Sequence, residues 1–552
     1  MTIADLMSTP RLLRSLGEFF ATPLTPARAA ALVRQRLEQR EERFLAHVDR
    51  VIFGVPHSPY RALLQSVGCD RPALAQAVRA HGLEGALAQL RDAGVYLSYE
   101  EFNGRREVVR GGRTFRFTRA DFDNPLRDVD LEVRSGGTRS RGTPVVVALR
   151  TIAENRAVAF QLMFQAAGVD APPVVWLPGF PSGSGVFFWL ALAHIGRPAV
   201  RWFTVTDPRG PSVAPRHRWL ITLARLVARR RGWQLPVPEH APLSAPEPVL
   251  EAVLRTRDRF GRCAVISTPS GAVRVATLAR RRGERLEGVD FFVGSEPLTE
   301  GKAEEIRRSG ARVWPRYVFT EGGAVGVGCG RPGSVDDMHL MADSFALILN
   351  RRPMPGIGER DAYMFTSLLQ FAPKVMLNVE SDDFGTVTSR RCGCPLDSLG
   401  LDRHLAQVRS FTKLTGEGAT VLGTEAVRIV EEVLPRTFGG SSLDYQLLET
   451  EDEDHLTRLF LVVSPEVGAL DEEAVRRTFI DELWRAGVGL SEVWFPGQGE
   501  TVRVLRREPV QTPGGKLLPF YSTIRRDGDA SAASVSAPAA GSRSAVGRGV
   551  TR

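Results

Sequence analysis

Several short stretches of this 552-residue chain combine residue types that can do chemistry. The run SGGTRSRGT at 135–143 crowds glycines, hydroxyls and arginines directly before the apolar PVVV. Such a run makes a hairpin turn, because glycine tolerates positive φ. The same composition also makes a concave cradle of backbone N–H groups and cations that suits phosphate. It is not a Walker loop, since no Gly-Lys-Ser/Thr follows. GSEPLT (294–299) and YVFTEGG (317–323) each come at the end of an apolar, strand-like run, and ESDDFG (380–385) is an acidic turn. A carboxylate such as Glu321 at a strand end can hold a hard cation. Near the C-terminus QTPGGKLLP (511–519) presents Lys516 after a glycine turn. Only four of the 72 cations are lysine (Lys302, Lys374, Lys413 and Lys516), so arginine does nearly all the surface work. A lysine in a special local setting therefore reads as a placed charge.

A second constellation is sulfur-based. Cys392-Gly-Cys394 puts two thiols on one tight turn, and Cys329 and His339 flank a Gly/Pro/Asp loop. Three sulfurs and an imidazole suit tetrahedral Zn²⁺, and a closed four-ligand set makes the role structural. Cys69 and Cys263 read as packed residues. Five cysteines, few and odd in number, point to a reducing compartment rather than a disulfide framework. With no secretory signal and no apolar run near the ~18 residues of a membrane span, the expected location is the cytoplasm.

These groups need a frame. Residues 25–93 show helical periodicity, punctuated by Gly82. From about 145 to 387, β-rich runs (VVVAL, PPVVWLP, PAVRWFTV, CAVIS, GVDFFVGS, ARVWPRYVF) alternate with helical stretches, the pattern of a wound α/β sheet. A small α+β unit follows: a strand and helix, a hairpin with an acidic turn at 451–454, and an amphipathic helix at 471–486. The expected division is a helical N-terminal region (1–120), a large α/β core (121–408), a small mobile α+β domain (409–526) and a disordered tail (527–552). The net charge of +9 is scattered, and Arg229-Arg230-Arg231 and Arg280-Arg281-Arg282 read as solvated helix faces. No nucleic-acid motif accompanies them, so no nucleic-acid partner is expected.

In this order, the motifs resemble those of the adenylate-forming superfamily of acyl- and aryl-CoA synthetases, luciferases and peptide-synthetase adenylation domains. The phenylacetate–CoA ligase branch is the nearest likeness, over about residues 121–523. The resemblance implies that Ser135, Gly136, Gly137, Thr138 and Gly142 wrap the β- and γ-phosphates of ATP. It also puts Gly294, Ser295, Glu296 and Pro297 in the nucleotide site. Tyr317 would stack near adenine, Thr320 and Glu321 would serve catalysis with Glu321 on Mg²⁺, and Asp383 would bond the ribose hydroxyls. Arg409 falls on an interdomain hinge around 410–412. Lys516 would reach over the site during adenylation and leave when the small domain rotates. Some members of that branch carry a Cys/His site where Cys329, His339, Cys392 and Cys394 stand.

The sequence departs from the family's pattern in places. Val318 and Asp382 stand where glycines are usual, and Thr138-Arg139-Ser140 alters the loop. Val318 would narrow the cavity behind its strand. The implied reaction is ATP-dependent activation of a carboxylic acid, then transfer to a thiol (CoA or a carrier) or an amine. Acyl-protein synthetase-type transfer to a protein and a non-catalytic adenylate-binding role are the alternatives.

Overall fold

The computed structural model describes residues 3–127, 131–134, 144–180, 184–205, 207–210, 213, 215–242, 245–295, 298–319, 321–354, 358–410, 423–451, 457–485, 502–511 and 517–522. The expected helices are present over Pro26–Glu38, Arg40–Val48, Pro59–Ser66 and Arg71–Asp92, preceded by Ile3–Ala21. Thr25 and Asp70 cap two of them through the backbone N–H groups of Arg28 and Ala73, each with proline in the first turn. Gly82 breaks the longest, at φ 70° and ψ 173°. The N-terminal region is not purely helical, because it also forms the hairpin β1 (Val108–Arg110) and β2 (Arg113–Phe115). The strands flanking the glycine run, β3 (Leu131–Arg134) and β4 (Pro144–Val147), pair as a hairpin from Leu131↔Val147 to Arg134↔Pro144.

The main sheet has two halves that share one strand. Its parallel half comprises β5 (Pro173–Trp176), β6 (Arg201–Thr204), β7 (Pro238–His240), β8 (Cys263–Ser267), β9 (Val289–Val293) and β10 (Arg312–Phe319), in the order 7-6-5-8-9-10. Helices Ser184–His194, Pro215–Arg230, Glu247–Phe260, Pro269–Arg281 and Glu300–Arg308 make the crossovers. Every residue of β5, β8 and β9 is buried, as strands covered on both faces require. The chain turns back on itself between β5 and β8. At such a switch point a crevice opens at the carboxyl ends of the strands.

Beyond Phe319 the alternation with helices stops, and here the structure differs from the expected pattern. β11 (Gly323–Gly328), β12 (Met338–Leu340), β13 (Phe345–Met354), β14 (Gly358–Ser367), β15 (Val379–Ser389) and β16 (Arg403–Ser410) continue the sheet antiparallel in the order 10-11-12-16-15-14-13. β13 and β14 pair along their whole length, from Phe345↔Ser367 to Met354↔Gly358. This half curls, so the rings of Tyr317 and Phe319 on β10 meet Phe365 of β14, and Phe319 also meets Phe345 of β13. The N-terminal helices share its apolar core: Leu63 and Val78 lie in one cluster with Val325, Leu347 and Phe365.

The C-terminal unit is a four-stranded sheet of β17 (Tyr445–Glu451), β18 (Thr457–Val463), β19 (Val502–Arg506) and β20 (Phe520–Ser522), in the order 19-18-17-20. Glu472–Arg485 packs on it through Val475, Phe479 and Leu483. The hairpin and helix expected from the sequence are thus both present. Residues 527–552 lie outside the described residues. Among the described residues, no helix is long and apolar enough to cross a membrane.

Candidate active site

Two sequence motifs end at the carboxyl edge of the parallel half, and a third folds back to meet them. Gly294 and Ser295 follow β9. A Cβ at Gly294 would lie 2.7 Å from both Cγ and the carbonyl oxygen of Arg316, so only glycine lets β10 approach this closely. Ser295 adopts φ 71°, a left-handed conformation that side-chain-bearing residues seldom take and that clusters at functional turns. Glu296, Pro297 and Thr320 lie outside the described residues.

The turn after β10 is fixed from behind by Asn155, which accepts from the Ala324 N–H at 2.6 Å and donates to the Ala324 carbonyl at 3.1 Å. Gly323, at φ 102°, leaves room for that amide. This clamp positions Glu321.

Tyr317 and Asp383, 66 residues apart, meet because the antiparallel half curls. The phenol donates to Asp383 Oδ2 at 2.6 Å. Burial, then the adjacent carboxylate, push the Tyr317 pKa well above its usual range, so it stays protonated and a donor. Asp383 itself pairs with Ser410 across β15 and β16, and Phe384 with Arg409. The backbone of Arg409 is therefore a neighbour of this site, while its side chain lies outside the described residues. Val318 follows a register shift in β10 and packs against the cluster that holds Phe160 and Phe188.

Glu321 has a partner that sequence reading missed. Arg119 Nη2 donates to its Oε1 at 2.8 Å. Arg119 is in turn held by Lys374, whose ammonium donates to the Arg119 carbonyl at 2.7 Å and pairs with Asp123 at 2.5 Å. The scarcity of lysine was the available signal, since Lys302 and Lys374 are both buried. Ser135, Gly136, Gly137, Thr138, Gly142 and Lys516 lie outside the described residues. Beside Lys516, Leu517 packs into the apolar cluster that holds Val293, Leu298 and Ile306 of the large unit. At the same seam Lys302 pairs with Glu431 at 2.7 Å, both fully buried, and the Thr299 hydroxyl also donates to Glu431.

The sulfur constellation assembles as one group. The ligand atoms of Cys329, His339, Cys392 and Cys394 all lie within 4.8 Å of one another. His339 Nε2 is 3.5 Å from Cys392 Sγ and 3.2 Å from Cys394 Sγ. A tetrahedral site with ordinary Zn–S and Zn–N bonds has N···S edges of about 3.5 Å, so the donors fit the ion. His339 Nδ1 faces the Leu401 carbonyl at 2.6 Å, the outer contact that turns Nε2 toward a metal. Arg390 reaches both Cys329 and Asp337, and Asp337 also binds His404 at 2.7 Å, so the cluster has a polar shell.

No protein-family model and no curated protein matches this chain. Solved structures similar to it include a 2-hydroxyisobutyryl-CoA ligase in complex with 2-HIB-AMP and CoA (17% identity, 88% of this chain and 90% of that one, TM-score 0.44). Others are the anthranilate CoA ligase AuaEII with anthranoyl-AMP (14%, 71% and 66%, TM-score 0.41) and wild-type E. coli MenE with an analogue of OSB-AMS (13%, 72% and 69%, TM-score 0.34). Likenesses at these identities and scores fix neither activity nor substrate. The chemistry rests on the residues above.

Proposed function

We propose that this chain is an adenylate-forming ligase. A carboxylate oxygen of the acid attacks the α-phosphorus of ATP, the bond to the β-phosphate oxygen breaks, and pyrophosphate leaves. The acyl-adenylate then passes its acyl group to a thiol or amine, releasing AMP. The observation that carries this reading is the Tyr317–Asp383 hydrogen bond. It joins two motifs distant in sequence beside the turn that holds Glu321, at the crevice where α/β sheets bind nucleotides.

In this reading the loop at 135–143 takes the phosphates and Asp383 takes the ribose, with Tyr317 fixing its carboxylate. Glu321 would hold Mg²⁺, which when bound draws charge from the α-phosphate. The Arg119 guanidinium now bonded to Glu321 would have to share or release it. Cys329, His339, Cys392 and Cys394 would hold a structural Zn²⁺ and clamp the β11–β12 connection. Lys516 would serve adenylation only, and rotation of the C-terminal unit for transfer would break the Lys302–Glu431 pair.

The test is acid- and Mg²⁺-dependent ATP–pyrophosphate exchange. Glu321→Gln should slow it by roughly 100- to 1,000-fold, the size of a lost main electrostatic contact. Arg119→Met removes the ion pair but keeps the carboxylate, so it should be far milder. Equal losses in the two variants would make Glu321 a structural partner of Arg119. Undiminished exchange in Glu321→Gln would overturn the role given to it.

A further inference from the structure

Two neighbouring arginines are buried without a counterion among the described residues, Arg316 at the carboxyl ends of β8 and β9 and Arg156 close by. Arg316, on β10 beside Tyr317, points to the opposite face of the sheet, and both Arg316 and Arg156 are only 5% exposed. Arg316 Nη2 reaches the Ser267 carbonyl at the end of β8, at a long 3.3 Å. Its Nε and Nη1 are buried with no partner. Its guanidinium stacks 4.0 Å from the centre of the Phe188 ring, and that of Arg156 lies 4.4 Å from Phe187. No carboxylate among the described residues pairs with either arginine.

The magnitudes do not balance for a purely structural role. A desolvated cation–π contact is worth about 2 kcal/mol. Burying an unpaired ion costs several, and here two like charges lie near each other. Burial holds Arg156 down to about 10; burial and then the Arg156 charge hold Arg316 down to about 9. Nearby polar groups do not resolve the deficit, since Ser267 Oγ already donates to the Trp176 carbonyl. What is missing is an anion, and the crevice opens where β5, β8 and β9 end.

We propose that the acid activated by this protein carries a second anionic group, seated between Arg316 and Arg156 behind an apolar spacer that lies along Phe160, Phe187 and Phe188. This rests on the adenylation reading and narrows it to dicarboxylic acids activated at one end. Arg316 lies against Gly294 just past the end of β9, whereas β10 runs on through Phe319 to the Glu321 turn, so the arginine lies below the reacting end. A strand rises about 3.3 Å per residue, so the three residues from Arg316 to Phe319 cover about 10 Å, the span of a spacer of several carbons.

The experiment compares matched acids in ATP–pyrophosphate exchange: adipate against hexanoate, and 1,4-phenylenediacetate against phenylacetate. The dicarboxylates should exceed their partners in kcat/KM by at least about 30-fold, the low end for a buried charge pair. Arg316→Met and Arg156→Met should each collapse that ratio toward one, and Arg316→Lys should restore part of it. A wild-type preference for the monocarboxylates, or a ratio unmoved in both methionine variants, overturns the proposal. If no acid supports exchange, calorimetric titration of adipate separates the two readings. Adipate binding that Arg316→Met weakens about 30-fold keeps the anion site and removes the adenylation reading. No adipate binding by wild type removes the anion site.

Discussion

The two ends of the β9–β10 pair treat arginine in opposite ways. At the amino end Arg312 sits across from Asp290, a fully buried carboxylate. Asp290 accepts from Arg312 at 2.7 Å, from Trp314 at 3.1 Å and from Arg262 at 2.9 Å. At the carboxyl end Arg316 lies against Gly294, which offers no side chain at all. Four residues separate a cation the fold has satisfied from one it has left open. A parallel sheet binds ligands at its carboxyl edge, so groups that lack a partner there are where a ligand's complement should be sought. The Cys/His cluster is a related case with the sign reversed, as three sulfurs and an imidazole converge and Arg390 reaches only Cys329 among them.

The largest expected effect would come from that cluster. Purified protein should carry one zinc per chain by elemental analysis. The double variant Cys392→Ser, Cys394→Ser should lose the metal and on the order of 5 kcal/mol of stability, because ligation free energy is also folding free energy. Fully folded wild type without metal would place the cluster with the satisfied groups instead.

Next is the domain seam, which sharpens the satisfied side of the comparison. Glu431→Gln strands Lys302 in a dry interior and should cost roughly 3–5 kcal/mol in denaturant unfolding. Adding Lys302→Met should recover much of that loss. A Glu431→Gln protein as stable as wild type would mean that water already reaches the pair.

The smallest effect is the most discriminating. Asp290→Asn should destabilise by about 1–3 kcal/mol, since it weakens charge-assisted bonds to two arginines. Arg316→Met should change stability by under about 1 kcal/mol or raise it, because it removes a buried charge with no partner. A larger loss for Arg316→Met than for Asp290→Asn would reverse the contrast between the two ends.

Much of the frame was legible along the chain. The runs PVVW, CAVIS and VDFFV are apolar apart from Ser267 and Asp290 because both their faces are covered, and that is visible without any tertiary knowledge. The end of the wound pattern near Phe319 was harder to see, since a long hairpin and a strand–helix unit can share the same apolar spacing until the turn residues are weighed. The Cys/His group could be read because ligand chemistry restricts residue types so tightly. Arg119 could not, as one arginine among many carries no local mark.

Sequence by itself determined the elements, the residue types at the motifs and the sulfur donor set, because periodicity, turn chemistry and ligand preference act over a few residues. Tertiary structure alone decided which charges meet. Arg119 and Glu321 are 202 residues apart, and Tyr317 and Asp383 join only because the antiparallel half curls back toward β10. An ion pair depends on the last few ångströms of separation, and that distance is set by packing rather than by position in the chain.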